Sequence, residues 1–194
     1  MAERPRLVLA SASPRRLSLL AQIGVAPDDV IAADADESAR AGELPRDYVS
    51  RVALAKALLI KAKAPGALIL AADTAVACGR RILPKAEDEA AARECLTLMS
   101  GRSHRVFTGL VLAGPDEVSR QRIVETRVKV ARLDAREVDA YVASEEWRGK
   151  AGGYAIQGLF AKHVVSIIGS YSNIVGLPLY ETANLLNGAG WTAS

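Results

Sequence analysis

The sequence predicts an α/β fold built on a mixed sheet flanked by helices. Short apolar or alternating runs of strand length give way repeatedly to longer segments with apolar residues at helical spacing. Those longer segments stop at glycine or proline where a helix C-terminus needs one, as at Gly24, Pro65-Gly66, Gly101 and Gly188. Two long strand-like runs, Arg105 to Ala113 and Arg122 to Arg132, are joined by Gly114-Pro115-Asp116-Glu117, which predicts an antiparallel hairpin.

The first strand, Arg6 to Ala10, is apolar, and the helix Pro14 to Ile23 follows with Ser13 as N-cap and Pro14 at its first position. A strand over Val30 to Ala33 precedes the helix Pro45 to Lys63, whose alanine richness from Val52 to Ala64 is helix propensity. A wholly apolar strand, Ala67 to Ala72, leads to the helix Glu87 to Met99. After the hairpin come a helix over Ala135 to Ser144, a strand over His163 to Ile168 and a helix over Pro178 to Leu186. With 194 residues, half of them apolar, the chain can bury a sizeable core as one domain, and no linker is visible.

Composition removes several function classes. The net charge is only +3 and aromatics are 5% of residues, so the clustered basic, aromatic footprint of a nucleic-acid binder is absent from the expectation. Cys78 and Cys95 lack metal-ligand spacing and read as small buried hydrophobes. The start, Met1-Ala2-Glu3-Arg4-Pro5-Arg6, leads into an apolar run too short for a secretion signal, and no run approaches a membrane span. A cytoplasmic location away from the membrane is expected.

Four segments carry chemistry. In Leu9-Ala10-Ser11-Ala12-Ser13-Pro14-Arg15-Arg16 a strand turns into a helix, so first-turn amides, the positive helix end and a guanidinium face one space. That reads as a phosphate site, with an ordinary capped helix as the alternative. In Ile69-Leu70-Ala71-Ala72-Asp73-Thr74 a carboxylate and a hydroxyl end an apolar strand, where α/β sheets gather ligands. Asp73 there can hold a divalent cation or take a proton from water. Arg80-Arg81-Ile82-Leu83-Pro84-Lys85 brings cations back toward that strand end, with Lys85 suited to a phosphate. The glycine-dense run Gly149-Lys150-Ala151-Gly152-Gly153-Tyr154-Ala155-Ile156-Gln157-Gly158 lets backbone approach a ligand closely, and its Lys150, Tyr154 and Gln157 supply specific groups. The Gln157 amide offers a donor beside an acceptor, the complement of the O4 and N3–H edge of uracil or thymine. Gly169 to Gly176 reads equally well as a glycine-rich turn. His104, in Ser100-Gly101-Arg102-Ser103-His104-Arg105-Val106-Phe107-Thr108-Gly109, has no partner at ligand spacing and reads as structural, and His163 reads as a strand residue.

Together these segments resemble the Maf family of nucleoside triphosphate pyrophosphatases over nearly the whole chain. The resemblance rests on Ser-x-Ser-Pro-Arg-Arg, the strand-end Asp-Thr, Ser-Gly-x-x-His-x-Val-x-Thr-Gly and Gly-Lys-Ala-Gly-Gly-Tyr-Ala-Ile-Gln-Gly, in the family's order. It implies an elongated α/β fold similar to that of inosine triphosphatases, with the site in a cleft between two lobes. It also implies hydrolysis between the α and β phosphates with Mg²⁺ or Mn²⁺. By the same resemblance Asp73 is the proton acceptor and a metal ligand with Glu37. Arg15, Thr74 and Gln157 tune substrate choice, and Ser11, Arg16, Lys56 and Lys85 complete the substrate site. The family usually has proline after the lysine, whereas Lys85 is followed here by Ala86, which leaves the stiffness of that loop open.

The branch most similar to this chain acts on dTTP and UTP, with modified pyrimidine nucleotides also in range. A sibling branch acting on 7-methyl-GTP carries Ser-Glu-Gly where this chain has Ile156-Gln157-Gly158. Guanine presents two donors that one amide cannot pair fully, which favours the pyrimidine branch. The 7-methyl-GTP enzyme and a non-catalytic nucleotide-binding regulator of cell division stay as alternatives. A nucleoside triphosphate is the expected partner, and a homodimer is left open.

Overall fold

The computed structural model describes residues 4–115 and 119–192. The first three residues, and Asp116-Glu117 of the expected hairpin turn, lie outside them. The elements in order are β1 (Leu7–Ala10), α1 (Pro14–Gln22), β2 (Asp29–Val30), α2 (Pro45–Lys63), β3 (Leu68–Cys78), β4 (Arg81–Leu83), α3 (Glu89–Met99), β5 (Ser103–Ala113), β6 (Ser119–Val130), α4 (Ala135–Ala143), β7 (Val164–Ile168), α5 (Tyr171–Val175) and α6 (Leu179–Gly188). A short 3-10 helix, Leu159–His163, precedes β7.

The sheet runs β2-β1-β3-β5-β6-β7, with β4 added to β3. β1 pairs parallel with β2 and β3, and every pairing from β3 through β5 and β6 to β7 is antiparallel, so the sheet is mixed as expected. β1 is apolar throughout because both of its faces are covered. Leu7 and Leu9 pack with Leu20 of α1 and Leu185 of α6, while Val8 and Ala10 pack with Ala53, Ala57 and Ile60 of α2. A second body of core lies further along β3, where Val76 packs with Leu83, Leu96, Met99, Trp147 and Phe160.

Several boundaries differ from expectation, for physical reasons. β3 does not end at Ala72 but continues to Cys78, since β5 offers it a partner as far as Ala77↔Arg105. Asp73 therefore lies in the middle of a strand, not at its end. It still lies just past the parallel section, because β1 stops at Ala10↔Ala71. The sequence predicts no strand at β4 and no helix at α5, whose five residues are too few to show helical periodicity. His163 closes the 3-10 helix instead of opening β7. Ser13 does stand at the N-cap of α1, but its side chain makes no cap bond; its N–H donates to Ser11 Oγ at 3.1 Å.

One edge of β3 has a break that matters for the site. β5 fills the other edge from Ile69 to Ala77. On the broken edge β1 pairs as far as Ala71, and β4 resumes pairing only at Val76. Residues 72–75 have no strand beside them there among the described residues, and the sheet is open between its two bodies of core.

Candidate active site

A cleft of about 370 Å³ lies at this break, and the nine site residues that the resemblance implies all line it: Ser11, Arg15, Arg16, Glu37, Lys56, Asp73, Thr74, Lys85 and Gln157. Strand periodicity distributes the two central ones. Ile69, Ala71 and Ala75 face α2, so Asp73 faces α2 as well, while Thr74 shares the opposite face with Ala72 and Val76.

On the α2 side, Lys56 occupies the middle of the buried stripe Val49, Val52, Ala53, Ala57 and Ile60. Its Nζ donates to Asp73 Oδ1 at 2.7 Å and pairs with Glu37 Oε1 at 2.6 Å. Lys85 closes on the other oxygen of Glu37, Oε2. The segment bearing Glu37 has no regular structure but is pinned by Tyr48, whose Oη donates to the Glu37 carbonyl at 2.9 Å. α2 approaches this closely because Gly109 of β5, in register with Asp73, has no side chain: a Cβ there would meet the Val49 carbonyl oxygen at 2.2 Å.

The two carboxylates titrate in opposite directions. Burial pushes Asp73 above the ordinary carboxylate range, against the opposing charges of Lys56 and Arg16. Burial acts the same way on Glu37, but hydrogen bonds from Lys56 and Lys85 outweigh it and hold that carboxyl at about 2. Asp73 is only 4% exposed, and its Oδ2 is buried without a hydrogen-bond partner among the described residues.

On the opposite face Arg16 lies on the buried stripe of α1 with Leu19 and Leu20. Its Nε donates to the Gly176 carbonyl at 2.8 Å, Nη1 to Ser11 Oγ at 3.1 Å and Nη2 to Thr74 Oγ1 at 3.4 Å. Burial pulls its guanidinium below the usual value, and it has no carboxylate hydrogen-bonded to it among the described residues. Thr74 also meets Thr108 across the strand pair at 2.9 Å, and Thr108 donates to the Asn173 carbonyl at 3.3 Å. Asn173, fully buried, anchors α5 by donating to Val106 O and Thr126 Oγ1. Thr108, Asn173 and Gly176 were not among the sequence candidates. The detectable sign at the first was a threonine in an otherwise apolar stretch of strand.

The glycine-rich run closes the cleft from the far body. Lys85 and Ala151 form a β-bridge, and Gly152 N–H donates to Pro84 O at 3.0 Å. Gly152, at φ +69°, presses so near Val76 that a Cβ would come within 2.9 Å of it. The Ala86 N–H donates to Lys150 O at 3.1 Å, a bond that proline at this position could not make. Gln157 is exposed at the rim and its amide makes no hydrogen bond among the described residues. His104 is structural, as read: buried, held well below its usual value at about 4 by burial, and bonded to Tyr154 Oη at 2.7 Å.

A divalent cation fits the donor set only as an ion shared with substrate. Among the described residues no group of three or more His, Cys, Asp or Glu converges. Mg²⁺ commonly takes one or two carboxylates plus substrate phosphates, and the unpartnered Asp73 Oδ2 is an open donor for it. Glu37 could contribute only by yielding an oxygen now held by a lysine.

A family model described as Maf-like protein matches residues 6–189. A Caulobacter vibrioides protein named dTTP/UTP pyrophosphatase is 58% identical over 191 residues, covering 98% of this chain and 99% of its own length. A Paramagnetospirillum magneticum protein of the same name is 60% identical over 185 residues, covering 95% and 97%. Among solved structures, the Staphylococcus aureus Ham1 protein aligns with 94% of this chain and 98% of its own at 14% identity and a TM-score of 0.49. At that score the fold rests on the strand order described above. No helix among the described residues is long and apolar enough to cross a membrane. With its family match from residue 6 to 189 and relatives this similar along almost their whole length, the chain belongs to the Maf family.

Proposed function

We propose that the chain is a nucleoside triphosphate pyrophosphatase that hydrolyses dTTP and UTP to the monophosphate and pyrophosphate. The observation that carries this reading is Asp73: a carboxylate buried at a break in the sheet, one oxygen held by Lys56 and the other without a partner among the described residues. Around it the cleft gathers five cations, Arg15, Arg16, Lys56, Lys85 and Lys150, against two carboxylates, Glu37 and Asp73. That balance suits a polyanion. The named relatives support the same reaction and the same substrates.

Asp73 takes a proton from the water that attacks the α-phosphorus, a role favoured by the upward push that burial gives its carboxyl. Lys56 fixes the carboxylate through Oδ1 and leaves both lone pairs of Oδ2 open, one to receive the proton and one to face a cation. Arg15, Arg16 and Lys85 neutralise the charge that builds on the departing pyrophosphate. Ser11, Thr74 and the Gly176 carbonyl hold Arg16 in place for this. Gln157, its amide free at the rim, offers a donor and an acceptor to the O4 and N3–H edge of the pyrimidine. A divalent cation, Mg²⁺ or Mn²⁺, would be held by Asp73 and Glu37 with phosphate oxygens of the substrate, and when bound supplies Lewis-acid polarisation of the phosphate.

The test is a panel of dTTP, UTP, 7-methyl-GTP and dITP incubated with purified protein and Mg²⁺, with pyrophosphate as the readout. Release from dTTP and UTP is expected. Tight binding without turnover of any triphosphate would instead make the chain a nucleotide-binding regulator.

A further inference from the structure

The five cations of the cleft are not equivalent. Lys56 and Lys85 are paired to Glu37 and Asp73, so much of their charge is already balanced. Among the described residues Arg15 has no hydrogen bond or ion pair, and the only bond of Lys150 Nζ is a long one, 3.3 Å, to the Arg148 carbonyl. The two are electrostatic neighbours. Burial and then the charge of Arg15 both depress Lys150, with Glu146 acting more weakly the other way. Arg15 also depresses Arg16, which in turn feels Asp73 and Glu37, whereas neither carboxylate acts on Lys150. Arg16, Arg15 and Lys150 all line the cleft, and among the described residues no carboxylate is hydrogen-bonded to any of them.

The backbone under Lys150 is built to hold it there. Its N–H donates to Trp147 O at 3.1 Å, and its carbonyl accepts from Ala86 at 3.1 Å and Gly153 at 2.9 Å. The next residue bridges to Lys85. A half-buried ammonium with no carboxylate bonded to it among the described residues, on a fixed backbone beside an equally unpartnered guanidinium, is suited to phosphate oxygens.

We propose that Lys150 is a substrate-binding residue that joins Arg15 in a two-cation clamp on the pyrophosphate half of the nucleotide, an assignment that rests on the pyrophosphatase reading above. The pyrophosphate half carries most of the substrate's charge, and the uncompensated end of the cleft is where that charge is best balanced. Ser13 and Pro14, at the start of α1, line the same cleft beside Arg15.

The test uses the full-length chain, titrated calorimetrically with inorganic pyrophosphate and, separately, with thymidine monophosphate. Lys150→Gln should weaken pyrophosphate by about tenfold and leave the monophosphate within about twofold. Lys150→Arg, which keeps the charge, should recover most of the loss. In turnover, Lys150→Gln should raise KM for dTTP more than it lowers kcat. Unchanged pyrophosphate affinity, or equal loss for both ligands, overturns the clamp. If the wild-type chain binds pyrophosphate in a Lys150-dependent way but turns over no triphosphate, the pyrophosphatase reading fails and the anion site stands. Normal dTTP turnover with pyrophosphate binding indifferent to Lys150 sinks the clamp alone.

Discussion

Gly109→Ala is expected to damage catalysis although residue 109 touches no substrate. The added methyl would lie 2.2 Å from the Val49 carbonyl oxygen and 2.6 Å from its carbon, so a rigid helix backbone, not a flexible side chain, has to yield. Restoring an ordinary contact of 3.4 Å needs about 1.2 Å of retreat by α2. Lys56 lies on the same helix, two turns beyond Val49. Carried along, its 2.7 Å bond to Asp73 would open to about 3.9 Å, outside hydrogen-bond range. Overpacking of this kind costs about 1–3 kcal/mol, and a misplacement of about 1 Å at a reacting group can cost about a hundredfold in rate. The assay pairs kcat/KM on dTTP with a urea midpoint. A fall of about a hundredfold in kcat/KM with a folded, modestly destabilised protein is expected. Wild-type kcat/KM at unchanged stability would refute the idea that close packing of α2 on β5 sets the Lys56–Asp73 contact.

Asp73→Asn keeps an acceptor for Lys56 while removing the base, so kcat should fall by about two to four powers of ten with triphosphate affinity largely kept; near-full kcat would move the base elsewhere. Glu37 has its carboxyl at about 2 in the folded chain against 4.5 as its ordinary value, so its stabilisation is present above about pH 4.5 and is lost as pH falls toward 2. Urea midpoints of wild type and Glu37→Gln should therefore differ at pH 7 and converge in acid, and a gap independent of pH would contradict the pairing with Lys56 and Lys85. Gln157→Glu should lower the ratio of kcat/KM for UTP to that for 7-methyl-GTP by about threefold to tenfold, a smaller change than for a buried pair because Gln157 lies at an exposed rim. An unchanged ratio would mean that Gln157 does not read the base.

Much of the fold is legible in the chain because its strands and helices alternate in length and periodicity. Helix α2 comes out at the expected boundaries, Pro45–Lys63, since proline opens it and Pro65-Gly66 bars its continuation. The extent of β3 is not legible in the same way: Asp73-Thr74 look like a strand end, and only the partner β5 carries the strand through them. For the same reason the break in the sheet is invisible in sequence, being set by where β1 stops and β4 begins. Lys56 and Arg16 do leave a local mark, each a cation on the apolar stripe of an amphipathic helix, where a charge is costly unless paired or functional. Glu37 leaves none, because its segment has no periodicity and its role depends on Lys56 and Lys85, 19 and 48 residues away. Asn173 is likewise silent in sequence; its contacts to β5 and β6 exist only once the sheet has formed.

The most direct test of the central claim is turnover of dTTP in H₂¹⁸O, with the products analysed by mass spectrometry. Attack of water on the α-phosphorus places the label in thymidine monophosphate and releases unlabelled, intact pyrophosphate. Label in the pyrophosphate, or early formation of the diphosphate and orthophosphate, would contradict it.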